Sequence, residues 1–144
     1  MFKQKTMRTN FKLGAAIAIG LGSSLCGSAA YANVWPSSVQ GSWSVLAAQN
    51  TGTLTITQPA STLNCQPISG TLFGNSTIKG FYCPSSGRIS FLRTYNSDTA
   101  NGAIAQYYQG NLSQTATTLR IGGTLTVFDS VGGSLGEYNF SASK

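Results

Sequence analysis

The sequence predicts an all-β domain in which eight antiparallel strands form a meander that closes into a small barrel. Three observations support this fold class. Short segments alternate apolar and polar residues, short turns rich in Gly, Asn and Ser join them, and no sustained helical periodicity follows residue 32. Short connections favour pairing of each strand with its predecessor, and closure removes exposed strand edges. A two-sheet β-sandwich shows the same alternation and is the alternative.

The N-terminal segment, residues 1–32, has the three-part pattern of a secretory signal peptide. A basic leader precedes an apolar run rich in Gly and Ala, and small residues follow up to Ala32. Cleavage is therefore expected before Asn33. A retained membrane anchor is the competing interpretation, which the Gly and Ser residues within the run disfavour. Leu25 precedes Cys26 where a lipidation signal needs a small residue, so no stable membrane anchor is expected.

Removal of this segment changes what the charge of the chain implies. Four of the nine Lys and Arg residues lie in it, so the net charge falls from +6 to +2. The remaining basic residues are scattered, and no nucleic-acid partner is expected. The mature chain is predicted to consist of an irregular lead, residues 33–40, and a single β-barrel domain, residues 41–144, exported to the periplasm or the extracellular space.

Eight segments of the mature chain carry the strand pattern. They are residues 41–47, 52–58, 68–73, 77–83, 88–94, 103–113, 118–128 and 135–143. Within each strand, the side chains expected to share one face follow in chain order: Trp43, Val45 and Ala47; Leu54 and Ile56; Ile68; Ile78 and Tyr82; Ile89, Phe91 and Arg93; Gln106, Tyr108, Gly110 and Leu112; Leu119, Ile121, Gly123, Leu125 and Val127; Tyr138, Phe140 and Ala142.

The third and fourth strands are expected to form a hairpin that carries a disulfide. With the turn centred on Gly74 or Asn75, opposed residues have numbers that sum to about 148 or 149. Cys65 and Cys83 then lie opposite or nearly opposite each other, at a strand spacing of roughly 5 Å that suits a disulfide. The same register pairs Ile68 with Gly80, large against small, and places the disulfide on the outer face. Two reduced, buried cysteines are the alternative, which export disfavours.

A spaced set of short motifs covers most of residues 41–143. It comprises a Gly-Ser-Trp at residues 41–43, the segments 89–93 and 108–112, a Gly-Thr-Leu at residues 123–125 and an aromatic last strand. This order of features resembles the calycin group of up-and-down barrels, which includes the avidins and lipocalins. The resemblance implies a small closed barrel. The tryptophans with which avidins surround biotin are absent, so biotin binding is not expected, and the short chain argues against a large lipid cup.

The chemical inventory argues against an enzyme. The chain contains no histidine, which excludes a His-based triad, metal site or proton shuttle. The mature part has three carboxylates, and two of them, Asp98 and Asp129, lie in predicted turns, where Asp serves the local backbone. Paired-carboxylate glycosidase chemistry needs two of the three to converge across a cleft. Neither a P-loop nor a dinucleotide-binding motif appears, so no cofactor is expected.

Six residues are the candidate ligand-binding side chains. They are Trp43, Tyr82, Arg93, Gln106, Tyr108 and Tyr138. Arg93 shares a face of its strand with Ile89 and Phe91, so it is expected to point inward. It lies near the strand end, where Gln106 and Tyr108 would complete a polar anchor for a small ligand. In the alternative, Arg93 stacks on an aromatic ring such as Trp43 and closes that end. Trp43 is then a core residue.

The expected function is non-enzymatic binding of a small, mostly apolar molecule by the exported barrel. One alternative is a filled barrel that acts as a protein-binding module or inhibitor through the loop at residues 95–102. A cell-surface structural protein is another. The direction of Arg93 decides between a pocket and a closed core, and the sequence leaves the oligomeric state open.

Overall fold

The computed structural model of the chain describes residues 35–95 and 103–144. Within these ranges lie eight strands: β1 Gly41–Ala47, β2 Asn50–Thr57, β3 Gln66–Leu72, β4 Ser76–Cys83, β5 Arg88–Thr94, β6 Ala103–Gln114, β7 Leu119–Asp129 and β8 Ser134–Ser143. Each strand pairs antiparallel with the next, and β8 pairs with β1, so the sheet closes into a barrel. The predicted eight-stranded meander is confirmed, and the sandwich alternative is wrong. The proposed signal peptide with Cys26, and the loop residues 96–102 with Asp98, lie outside the described residues.

The hairpin of β3 and β4 has the predicted register. Ile68 lies opposite Gly80, and the numbers of paired residues sum to 148 along the hairpin. Cys65 and Cys83 form a disulfide with their Cα atoms 4.0 Å apart. Cys65 is exposed, and Cys83 follows the inward-pointing Tyr82, so the disulfide lies on the outer face as predicted.

The barrel interior is filled by side chains. Phe91 stacks on Tyr108 with ring centroids 4.7 Å apart, and Phe140 meets Tyr108 edge-on at 5.1 Å. Gly80 lies opposite Phe91, and Gly123 lies opposite Phe140, so each large ring faces a strand position without a side chain. Aromatic contacts of this geometry add to the stabilisation that burial provides. The centre of the barrel is therefore a packed core.

The described part of the irregular lead, residues 35–40, closes one end of the barrel. Val39 is completely buried there, and its carbonyl accepts a hydrogen bond of 2.9 Å from the indole of Trp43. The Tyr82 hydroxyl donates to the Pro36 carbonyl at 2.6 Å. Burial at this end raises the pKa of Tyr82 to about 12, so its hydroxyl stays protonated at neutral pH. We call this the closed end.

The C-terminal residue reinforces the closed end. The Lys144 ammonium lies 5.1 Å from the centroid of the Trp43 ring and donates to the Gln40 carbonyl at 2.6 Å. A cation over an indole face is attracted by the ring quadrupole. Trp43 is thus a core residue whose outer ring face is covered by a lysine.

Candidate ligand site at the barrel mouth

The opposite end of the barrel, which we call the mouth, holds a cavity of about 380 Å³. The β1–β2 turn and the ends of several strands surround it. Its lining consists of Ala47, Ala48, Asn50, Thr51, Phe73, Arg93, Tyr95, Gln106, Tyr108 and Leu125. This volume is within the range of sites for small molecules.

Arg93 lies at the centre of the mouth and is only 9% exposed. The alternation of β5 turns it inward together with Ile89 and Phe91. One terminal nitrogen, Nη1, donates to Oε1 of Gln106 at 2.9 Å and to the Tyr95 hydroxyl at 3.2 Å. The other, Nη2, donates to the Ser76 hydroxyl at 3.0 Å. The guanidinium is therefore held in one orientation by three neutral acceptors.

Two aromatic rings flank the same guanidinium. Its Cζ atom lies 4.9 Å from the centroid of the Phe73 ring and 4.4 Å from that of Tyr95. Such stacking suits the planar, weakly hydrated guanidinium of arginine. The prediction that Arg93 stacks on an aromatic ring is confirmed, but Trp43 as its partner is wrong, because Trp43 lies at the closed end under Lys144. The partners come from the β3–β4 turn and the end of β5.

The positive charge of Arg93 has no counter-ion among the described side chains. Asp129 accepts hydrogen bonds from main-chain groups of its own turn, and Glu137 is exposed on the outer face. Asp98 lies outside the described residues. The Nε atom of Arg93 is buried without a hydrogen-bond partner. An unpaired charge and an unsatisfied donor are both costly to bury, and an anion in the mouth would compensate that cost.

Gln106 connects Arg93 to Tyr108. Its Oε1 atom accepts from Arg93 and also, at 2.7 Å, from the hydroxyl of Tyr108. Burial raises the pKa of Tyr108 to about 12, while the charge of Arg93 acts in the opposite direction. The phenol is thus a donor at neutral pH. Both neighbours use the oxygen of Gln106, and its amide hydrogens have no acceptor within residues 35–95 and 103–144, so they can donate to a molecule in the mouth.

The six predicted site residues divide between the two ends of the barrel. Arg93, Gln106 and Tyr108 lie together in the mouth as expected. Tyr138 is 44% exposed at its rim, beside a second hollow that Gln106 also lines. Trp43 and Tyr82 are buried at the closed end, away from the other four.

Three residues that contact Arg93 were not among the predicted ones. They are Phe73, Ser76 and Tyr95. Ser76 lies two positions before the buried Ile78 on β4, so strand alternation could have predicted that it points inward. Phe73 has a positive φ of 53° in its turn, and no pattern in the sequence indicates that conformation.

Comparison of the chain with protein-family models, curated proteins and solved structures gives no match. The resemblance to calycins therefore rests on the closed eight-stranded antiparallel architecture alone. Among residues 35–95 and 103–144, no helix has the length and apolar character needed to cross a membrane. The same residues contain no group of three or more His, Cys, Asp or Glu side chains that could hold a metal ion.

Proposed function

We propose that the chain is an exported, non-enzymatic binding protein with calycin-like architecture that holds a small molecule in the mouth of its barrel. The observation that carries this proposal is the buried guanidinium of Arg93, oriented by three neutral acceptors and without a counter-ion among the described side chains. The disulfide between Cys65 and Cys83 supports export, since such bonds persist in oxidising compartments.

The packed interior limits the ligand to the mouth. Phe91, Tyr108 and Phe140 fill the middle of the barrel, so a long acyl chain has no space along its axis. The ligand is therefore a compact molecule that fits the cavity of about 380 Å³.

The lining of the mouth indicates the chemistry of that ligand. The Arg93 guanidinium and the Gln106 amide offer donors at the base, which favours a carboxylate or another anionic head group. Phe73 and Ala48, both partly exposed in the lining, offer apolar surface for the rest of the molecule. A small amphiphile with an anionic head fits both features.

The test compares matched carboxylates and neutral analogues on the mature, oxidised chain. Benzoate and octanoate are titrated against benzamide and 1-octanol while backbone amide shifts are recorded by NMR. We expect the carboxylates to perturb amides around Ala48, Tyr95 and Gln106. Arg93→Met should weaken binding by about tenfold or more, as expected for loss of a charge-assisted hydrogen bond. The control Lys79→Met removes an exposed cation from the outer face and should change nothing.

A second variant, Asp98→Asn, tests whether the chain itself supplies the counter-ion of Arg93. If Asp98→Asn lowers the thermal stability of the chain and no carboxylate perturbs the mouth, Arg93 is neutralised by the chain itself and the proposal is wrong. If the mouth takes an external anion, Asp98→Asn should leave carboxylate affinity equal or raise it. Gln106→Leu should also weaken carboxylate binding. Because this variant keeps Arg93, it tests the proposal even if Arg93→Met does not fold.

A protein partner at the rim is the second candidate function. Val131, Leu135 and Tyr138 expose apolar side chains around the β7–β8 turn, with 89% of the surface of Val131 exposed. Leu135 and Tyr138 line the same hollow at the rim, and exposed apolar side chains that lie together are typical of a contact surface. Replacing all three residues by Ser should abolish binding of a protein partner while leaving benzoate binding intact.

A further inference from the structure

The outer wall of the barrel carries a second concave site, which we call the outer groove. It crosses β4, β5, β6 and β7 beside the disulfide and encloses about 540 Å³. The side chains that matter for its chemistry are Phe81, Arg88, Ser90, Tyr107, Gln109 and Asn111. They point away from the core and are separated from the mouth residues by the sheet.

Cross-strand pairing arranges these side chains in rows. Phe81 lies opposite Ser90, and Ser90 lies opposite Gln109, so a small hydroxyl residue stands between larger neighbours. In the next row Arg88 lies opposite Asn111, which faces the side-chain-free Gly122. Small residues within rows of larger ones leave a depression in the sheet surface.

Four polar side chains of the outer groove have no hydrogen-bond partner in the described chain. The side chains of Arg88, Ser90, Gln109 and Asn111 form no hydrogen bond with any residue in 35–95 or 103–144. The lining includes one guanidinium and no carboxylate. The groove thus presents amide and hydroxyl donors and acceptors together with a single positive charge.

Two aromatic rings border these polar groups. Phe81 is 52% exposed and Tyr107 is 37% exposed. Flat, weakly polar rings next to amides and hydroxyls complement a sugar ring, because a pyranose has an apolar C–H face and a rim of hydroxyl groups. A nucleic acid would need several phosphate contacts, and the lining has one cation. The guanidinium of Arg88 favours a ligand that carries an acidic group.

We propose that the outer groove binds a short acidic oligosaccharide. Its sugar rings pack on Phe81 and Tyr107, its hydroxyls bond to Gln109 and Asn111, and its carboxylate pairs with Arg88. This site is independent of the one in the mouth, because it uses different residues on the opposite face of the sheet.

The experiment titrates the mature, oxidised chain with four probes and records binding by calorimetry and amide NMR shifts. The acidic probes are trigalacturonate, trimannuronate and a hyaluronan tetrasaccharide, and the matched neutral probe is the methyl ester of trigalacturonate. At least one acidic probe should bind and perturb amides of residues 88–90 and 107–111. Arg88→Gln should weaken that binding about tenfold or more, and Gln109→Ala should also weaken it.

Arg120→Gln is the matched control, because Arg120 is also an exposed arginine on the outer wall but lies outside the groove. It should leave the affinity within about twofold. The proposal is overturned if no acidic probe binds with a Kd below about 5 mM. It is also overturned if Arg120→Gln weakens binding of the acidic probe as much as Arg88→Gln does, or if the neutral ester binds as tightly as trigalacturonate.

Discussion

Replacing both cysteines of the disulfide by serine should destabilise the barrel without changing its structure. Cys65 and Cys83 point outward, so the substitution opens no cavity in the core. The bond closes a loop with a sequence separation of 18. In the chain-entropy model such a loop restricts the unfolded chain by about 3 kcal/mol of free energy. For a domain of this size that loss corresponds to a fall in Tm of about 12 °C.

The assay is urea denaturation of residues 33–144, with the midpoint and the slope measured for the oxidised, the reduced and the Cys65→Ser/Cys83→Ser forms. The reduced and the serine forms should lose equal stability, and a reductant should not affect the serine form. Amide NMR spectra of all forms should retain the β3–β4 register. A loss below about 1 kcal/mol would refute the entropic reasoning, since it would mean that the unfolded hairpin is already constrained without the bond.

Three further predictions concern the core, the sheet and the closed end. In a pH titration followed by phenolate absorbance, the signal that is lost in Tyr108→Phe should have its midpoint near pH 12. Because the Tyr108 phenol has a lower pKa in the unfolded chain, the free energy of unfolding should fall by up to about 2–3 kcal/mol as the pH rises from 10 to 12. A free energy of unfolding that stays constant over this range would contradict the burial of Tyr108. Gly123→Ala should destabilise by about 2 kcal/mol or more, because a Cβ atom there would lie 2.0 Å from the Gln109 carbonyl oxygen. Its control Gly122→Ala has nothing within 4 Å and should be tolerated in the same denaturation assay. Gln58→Ala should lose about 1–3 kcal/mol and speed amide exchange at the lead, because Gln58 accepts from the Val39 amide at 2.9 Å, whereas exposed Gln40→Ala should not.

The sequence was informative about the fold because strand alternation and turn chemistry are local. The alternation of Leu54 and Ile56 with polar residues predicted the inner and outer faces of β2, and the structure has them so. The position of the β3–β4 turn predicted the register of these two strands, and with it the pairing of Cys65 and Cys83. These features require only the residues of one strand or one hairpin.

Contacts that depend on barrel closure could not be predicted from the residues of one strand or one hairpin. Lys144 reaches Trp43 because β8 pairs with β1, and the register of that pairing has no short-range signal. Arg93 was correctly expected to point inward, yet its ring partners come from two turns. Trp43 and Tyr82 were grouped with Arg93 because all three are large inward-facing residues, but strand parity says nothing about which end of the barrel a residue occupies.

The same parity separates the two proposed binding sites. Arg88 and Arg93 lie five positions apart on β5, an odd separation, so one side chain faces the solvent side of the sheet and the other faces the mouth. Their charges therefore serve different surfaces, although a single strand carries both. Substitutions at separate sites with no shared partners usually act additively. In the double variant Arg88→Gln/Arg93→Met, the losses of saccharide and carboxylate affinity should each equal those of the single variants. A mutual dependence of the two affinities would mean that both ligands use one site, and the assignment of two sites would then be wrong.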